Sequence, residues 1–298
     1  MNIAYYPGCT LKTTAKEFDV STKASAKALG INLVELPRWN CCGTVHALAK
    51  DDVMHHIAPL RNLLRVEEAQ LSGIVDEKRV ITLCAMCYNT LKRANERIKK
   101  SRDDRDIINR FMDAEGLAYE GDVKVLHLLE LLRDEIKFEN VAKKVVKPLK
   151  NLKVASYYGC LLVRPKEIGL DDVENPQVLE NLMTALGADP VDFPYKTECC
   201  ASYQTVDNPG IVAERTYRIL TSAQRAGADV VSVSCPLCAF NLDNRQKETV
   251  NLYSDFKKMP ILYFTQLLGI ALGCPEEALR FDLHSVDPKP ALKQKGLL

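Results

Sequence analysis

Short apolar runs alternate with longer amphipathic stretches along the chain, and the alternation occurs twice. Residues 2–6 read as a strand, 14–29 as a helix stopped by Gly30, 32–36 as a strand and 79–83 as another. From residue 153 the order returns: a strand over 153–158, a helix running to Leu186 and ended by Gly187, a short strand near 191–193, and a strand over 229–233. An apolar, helix-like stretch closes each half, over 125–132 in the first and 261–268 in the second. The lysine-rich segment 143–153, with Pro148 inside it, lies between the first closing stretch and the second opening strand, so the boundary falls near residue 150. The predicted class is α/β. It comprises two homologous repeats, 1–150 and 151–274, each a small, mostly parallel sheet flanked by helices. Residues 275–298, with Pro275, Pro288 and Pro290, read as an extended C-terminal arm able to dock a partner.

Composition narrows the class without changing it. The chain has 298 residues, of which 47% are hydrophobic and 27% charged, as in a soluble globular protein of two domains. Forty basic residues against thirty-nine acidic ones leave a formal charge of +1, which gives no general attraction to nucleic acid or an anionic membrane. The amino terminus lacks the basic and then apolar pattern of a secretory signal. Residues 260–273 are apolar but are broken by Thr265, Gln266 and Gly269 and fall short of a membrane span. A cytoplasmic location is therefore expected. There, eleven cysteines stay reduced and point to metal or redox chemistry rather than a disulfide framework.

Ten of those cysteines form two matching sets. Cys9 corresponds to Cys160 with an offset of 151, Cys41-Cys42 to Cys199-Cys200 with 158, and Cys84-x-x-Cys87 to Cys235-x-x-Cys238 with 151. Their surroundings repeat too: residues 3–9 (Ile-Ala-Tyr-Tyr-Pro-Gly-Cys) resemble residues 154–160 (Val-Ala-Ser-Tyr-Tyr-Gly-Cys), and Leu36-Pro37 resembles Phe193-Pro194. Each motif follows a predicted strand. Parallel sheets gather ligands beyond the carboxyl ends of their strands, so five thiols per half can meet. A single Cys-x-x-Cys at a strand-to-helix junction also suits structural zinc or a redox dithiol. Zinc takes four ligands, however, and each half offers five. Adjacent cysteines bridge poorly to each other but can ligate neighbouring irons.

The motifs Tyr5-Tyr6-Pro7-Gly8-Cys9, Cys41-Cys42-Gly43, Cys84-Ala85-Met86-Cys87, Cys199-Cys200, Cys235-Pro236-Leu237-Cys238 and Phe264-Thr265-Gln266-Leu267-Leu268 together resemble the duplicated cysteine-rich, or CCG, domain found in the HdrB-type subunit of heterodisulfide reductase. The resemblance covers essentially the whole chain. It implies two non-cubane 4Fe-4S clusters, one held by Cys9, Cys41, Cys42, Cys84 and Cys87 and the other by Cys160, Cys199, Cys200, Cys235 and Cys238. Ala201 departs from the family pattern, standing where a glycine follows the cysteine pair, and the spacing from Cys42 to Cys84 is longer than usual.

By that resemblance the chain is the catalytic subunit of a heterodisulfide reductase or a relative of one. It would reduce a disulfide, such as that of coenzyme M and coenzyme B, to two thiols. Disulfide cleavage takes two electrons and a cluster ordinarily passes one, so duplication has a reason. Electrons would arrive from two further subunits of such a complex, one ferredoxin-like with iron-sulfur clusters and one carrying flavin, since the chain has no Gly-x-Gly-x-x-Gly run and no phosphate loop. The alternative is an electron relay of the kind found in lactate, glycolate and succinate or fumarate oxidoreductases, without disulfide chemistry. A zinc-stabilised interaction module is a third reading.

The remaining residue types have plainer readings. His46, His55, His56, His127 and His284 lack metal-ligand spacing and read as structural. Cys274 has no counterpart in the first half and reads as buried or incidental. Tyr5, Tyr6, Tyr157 and Tyr158 read as core and wall residues rather than radical carriers.

Overall fold

The computed structural model describes residues 2–44, 52–116 and 118–298, so His46 lies outside the described residues. Two four-stranded sheets form. The first runs in the order β2-β1-β3-β4, with β1 at Asn2–Tyr6, β2 at Asn32–Glu35, β3 at Arg79–Thr82 and β4 at Lys124–His127. The second repeats that order as β6-β5-β7-β8, with β5 at Lys153–Tyr157, β6 at Asp189–Val191, β7 at Val230–Val233 and β8 at Ile261–Tyr263. Every pairing is parallel, and Tyr5 opposite Ile81 has its counterpart in Ser156 opposite Ser232. This is the predicted α/β architecture in two copies.

The sequence pattern follows from burial. Strands β3 and β7 are buried at every residue, because helices cover both faces of each sheet, and so they read as continuous rather than alternating runs. The β6 strand begins earlier than expected, at Asp189, and carries Pro190. It tolerates proline because it is an edge strand bonded only to β5. The closing stretches differ more from expectation. Each divides into a strand and a short helix: β4 leads into Leu128–Glu130 and a wide turn over Leu131–Ile136, and β8 leads into helix Phe264–Ala271. A short, largely buried strand running into a buried helix shows no change of periodicity at the junction.

The halves pack closely on one another. Helix Lys16–Leu29 of the first half lies on helix Phe264–Ala271 of the second, where Phe18 stacks on Tyr263 with ring centroids 4.1 Å apart. Ser21 Oγ and Thr265 Oγ1 are 2.7 Å apart, and Ser25 Oγ donates to the Thr265 carbonyl at 3.0 Å. On the other side, helix Ala85–Lys100 sends the Tyr88 hydroxyl to the Ile168 carbonyl at 3.0 Å and the Asn89 amide to the Leu161 carbonyl at 2.9 Å. Residues 275–298 fold back on this body rather than standing free, with Leu279, Phe281, Leu292 and Leu297 buried. Among the described residues no helix is long and apolar enough to cross a membrane.

Candidate thiol centre

The chain emerging from β1 turns at Gly8 into the short helix Gly8–Lys12 and brings Cys9 to the carboxyl edge of the first sheet. Gly8 has φ of +73°, and a Cβ there would lie 3.0 Å from Cys87 Sγ. The second half repeats the arrangement. Gly159 has φ of +65°, and its Cβ would lie 3.1 Å from Cys238 Sγ. At each of these turns an L side chain is both strained and in collision with a thiol, so glycine is the residue that fits. Cys84 and Cys235 then cap the helices that follow β3 and β7, which places Cys87 and Cys238 in the first turns of those helices.

Two tyrosines fix the cysteine pairs. The Tyr6 hydroxyl donates to the Asn40 carbonyl at 2.9 Å, just before Cys41-Cys42, and the Tyr157 hydroxyl donates to the Glu198 carbonyl at 2.6 Å, just before Cys199-Cys200. Both tyrosines are buried, as expected of wall residues, and burial and the nearby thiols push their phenols far above the ordinary tyrosine range. Ala201 adopts φ of +61° in the second half, the left-handed conformation that Gly43 takes at +80° in the first. The turn after the pair is therefore kept despite the substitution.

The sulfurs form chains of near neighbours. Cys9 Sγ is 3.8 Å from Cys41 Sγ, Cys42 Sγ is 3.6 Å from Cys87 Sγ, and Cys200 Sγ is 3.6 Å from Cys238 Sγ. Cys84 and Cys87, Cys235 and Cys238, and Cys160 and Cys199 also shift one another's ionisation. The two sets also approach one another, since the Cys84 and Cys235 thiols shift each other's ionisation across the boundary between the halves. Cys235 pushes the Cys84 thiol up, and Cys238 and then Cys84 pull the Cys235 thiol down. Cys199 is drawn down to about 6 by the bond from Cys160, the amide of Ala201 and the Arg215 charge. Cys9 and Cys41 are exposed, Cys160 and Cys199 half-buried, and Cys84, Cys87, Cys235 and Cys238 buried. Each set thus runs from an accessible edge inward to the junction.

Among the described residues no three or more His, Cys, Asp or Glu side chains close round a point as a single metal ion requires. Serial pairs of thiols instead suit a group of several metal atoms, each touched by different sulfurs. Ser234 Oγ, beside Cys235, is buried with no hydrogen-bond partner among the described residues. It is a spare donor next to the thiols. The donor set fits an iron-sulfur group in each half, and in the second half this hydroxyl adds a donor beside it.

Several neighbours of the thiols carried no signal in the sequence. Asn241 donates to the Cys200 carbonyl at 2.9 Å and lies 3.6 Å from Cys200 Sγ. Its place three residues after Cys238, one helical turn on, is the only hint of this role. Tyr203, partly exposed, bridges the halves, its hydroxyl 3.8 Å from Met86 Sδ. His127 is the last residue of β4 rather than part of a helix. It is buried with Nε2 2.7 Å from the Leu83 carbonyl, and burial lowers it to about 4, so its structural reading holds. Cys274 lies apart from both sets, with its amide on the Gly269 carbonyl and its thiol by Ser25.

Comparison with known proteins accords with this duplicated geometry. The family model described as "Cysteine-rich domain" (CCG) matches residues 3–92 and 154–243, one match in each half. The chain is 34% identical, over 95% of its length and 96% of the relative's, to the 8-methylmenaquinol:fumarate reductase membrane anchor subunit of Wolinella succinogenes. It is 28% identical, over 95% of its length and 93% of the relative's, to the HdrB-type subunit of the ferredoxin/F420H2-dependent CoB-CoM heterodisulfide reductase of Methanosarcina acetivorans. A solved hypothetical protein from Helicobacter pylori superposes with a TM-score of 0.73 at 15% identity, covering 95% of this chain but about half (51%) of that one, and so shares the fold. The chain belongs to the cysteine-rich CCG family, with the domain present twice.

Proposed function

We propose that this chain is the iron-sulfur subunit of an oxidoreductase complex of the heterodisulfide reductase type, reducing a disulfide to two thiols. The observation that carries the reading is the duplicated set of five thiols, one at the carboxyl edge of each sheet, with Cys84 and Cys235 near enough to shift each other's ionisation. In this reading Cys9, Cys41, Cys42, Cys84 and Cys87 hold one non-cubane 4Fe-4S cluster, and Cys160, Cys199, Cys200, Cys235 and Cys238 hold the other. Bound there, such clusters supply electrons one at a time. The chain's own part is to hold the thiols in register through Gly8, Gly159, Tyr6 and Tyr157, and to leave Cys9, Cys41, Cys160 and Cys199 accessible. A substrate would approach each site from these accessible thiols. The heterodisulfide reductase relative supports the same reading. Ferredoxin-like iron-sulfur and flavin subunits would supply the electrons.

The fumarate reductase relative favours a second reading, an electron relay. There Cys84 and Cys235 would carry single electrons between the sites without disulfide chemistry. Anaerobic iron and sulfide analysis, followed by paramagnetic resonance with an added thiol under oxidising conditions, separates the readings. About eight irons and a thiol-dependent signal are the expected result. The same iron content with no response to thiols would favour the electron relay, and zinc in place of iron would overturn both.

A further inference from the structure

The helix that carries Cys238 does not run on evenly. Pro236–Ala239 is α-helical, Phe240–Asn244 forms a widened turn, and Gln246–Leu252 resumes the α-helix. Widened turns of this kind recur at functional sites. Asn241 stands in this one and is fully buried. Its amide has a single arrangement. The Cys200 carbonyl can only accept, so the group 2.9 Å from it is the NH2, and the Thr205 hydroxyl, 2.7 Å from the other end, donates to the amide oxygen. An NH2 has two hydrogens. One goes to the carbonyl, which leaves the other for Cys200 Sγ at 3.6 Å. Thr216 of the neighbouring helix Pro209–Arg225 donates its hydroxyl to the Asn241 carbonyl at 3.2 Å and so fixes the turn.

The first half is built differently at this position. By the offset of 151 that relates the two Cys-x-x-Cys motifs, Asn241 corresponds to Thr90. Thr90 lies in the unbroken helix Ala85–Lys100, and its hydroxyl is buried with no hydrogen-bond partner among the described residues. The group that bears on Cys42 there is Thr44, from the segment just after the cysteine pair. The amide that reaches Cys200 from its own Cys-x-x-Cys helix therefore belongs to the second half.

We propose that Asn241 is a positioning residue that raises the electron affinity of the second thiol set, holding Cys200 by its carbonyl and giving an N–H to its sulfur. The inference rests on an iron-sulfur group at that set, which the disulfide and the relay readings both require. On reduction the site gains one electron and a one-electron donor protein loses one. No covalent bond of Asn241 forms or breaks, and no proton leaves it. The added negative charge is shared by the thiolate sulfurs, and an N–H directed at Cys200 Sγ stabilises it. Without that N–H the second set is harder to reduce, and the first set is unaffected.

The test is a redox titration of the iron-loaded chain followed by paramagnetic resonance. Asn241→Leu keeps a branched side chain but has no donor, and Asn241→Thr installs the residue of the first half. Both variants should bind iron and sulfide as wild type does. In both, one reduction step should move to lower potential by about tenfold in its equilibrium, or about 59 mV for one electron, and the other should stay in place. Thr90→Ala, the matched change in the first half, should move neither step. Wild-type iron content with both steps unmoved in the two Asn241 variants, or with both steps shifted equally, overturns the inference and leaves the proposed function standing. Loss of iron from both variants also overturns it, since Asn241 then only braces the fold. A wild-type chain that binds no iron overturns the proposed function and this inference together.

Discussion

Replacing Gly159 with alanine separates backbone strain from crowding of a thiol. The strain arises because Gly159 has φ of +65°, where alanine costs roughly 1–2 kcal/mol. The crowding arises because the new Cβ would lie 3.1 Å from Cys238 Sγ, closer than ordinary contact, with the Tyr157 ring at 3.4 Å leaving no slack beside it. Tyr157 cannot swing away freely, since its hydroxyl holds the Glu198 carbonyl at 2.6 Å just before Cys199-Cys200. Pressure at Gly159 therefore reaches three of the five thiols of its half. Gly227 supplies the control, with φ of +86° and nothing within 4 Å of its added Cβ. Both variants should lose a similar amount in thermal denaturation, about 2 to 8 °C at the roughly 2–4 °C per kcal/mol of a chain this size. Only Gly159→Ala should also lose metal, about half of the bound iron, because the first set is untouched. If Gly159→Ala and Gly227→Ala bind equal iron and give the same paramagnetic spectrum, the reasoning that glycine is required by the thiol centre is refuted.

Three further outcomes follow from particular residues. Ala201 holds φ of +61° where the first half has Gly43, so Ala201→Gly should raise the unfolding free energy by about 0.5–1 kcal/mol in denaturant titration, with the iron content unchanged. Burial raises the Glu17 carboxyl from 4.5 to about 7, so its contribution to stability is fully present below about pH 4.5 and is lost as pH rises through 7. At about 1.4 kcal/mol per pH unit the loss is about 3 kcal/mol, and Glu17→Gln should show no such decline across that window when unfolding is followed by circular dichroism. Cys274→Ser should leave iron and sulfide content at wild-type values, since Cys274 bonds to Gly269 and Ser25 rather than to either thiol set.

Much of the fold was legible in the sequence because the central strands are buried on both faces and lead into helices of clear periodicity, as with β3 and helix Ala85–Lys100. The duplication was legible because thiol ligation tolerates little substitution, so the spacing survives where the intervening residues diverge. What the sequence hid was set by the packing of one half on the other. No spacing rule brings Cys84 to Cys235, which are 151 positions apart in the chain. Glu17 sits in a helix whose first turn also carries Asp19, a pattern that reads as a solvated acidic start. It is buried only because the C-terminal segment and helix Phe264–Ala271 close over it. The closing stretches misled for a local reason, since β4 and β8 are short and pass directly into buried helices with no intervening loop.

Duplication also explains why neither half is complete by itself. Helix Lys16–Leu29 belongs to the first half by sequence, yet its Phe18 stacks on Tyr263 and its Glu17 lines a small cavity behind the second Cys-x-x-Cys. Conversely, Tyr88 and Asn89, on the helix that carries Cys87, find their hydrogen-bond acceptors at Ile168 and Leu161 of the second half. Each thiol set is thus braced by the opposite half. Separation would bare the Phe18 and Tyr263 rings and leave the buried Tyr88 hydroxyl without its acceptor at about 1–3 kcal/mol. In the proposed function a two-electron reaction shared between one-electron sites would need their spacing held constant, and mutual bracing at Phe18–Tyr263 and Tyr88–Ile168 would hold it from both sides of Cys84 and Cys235.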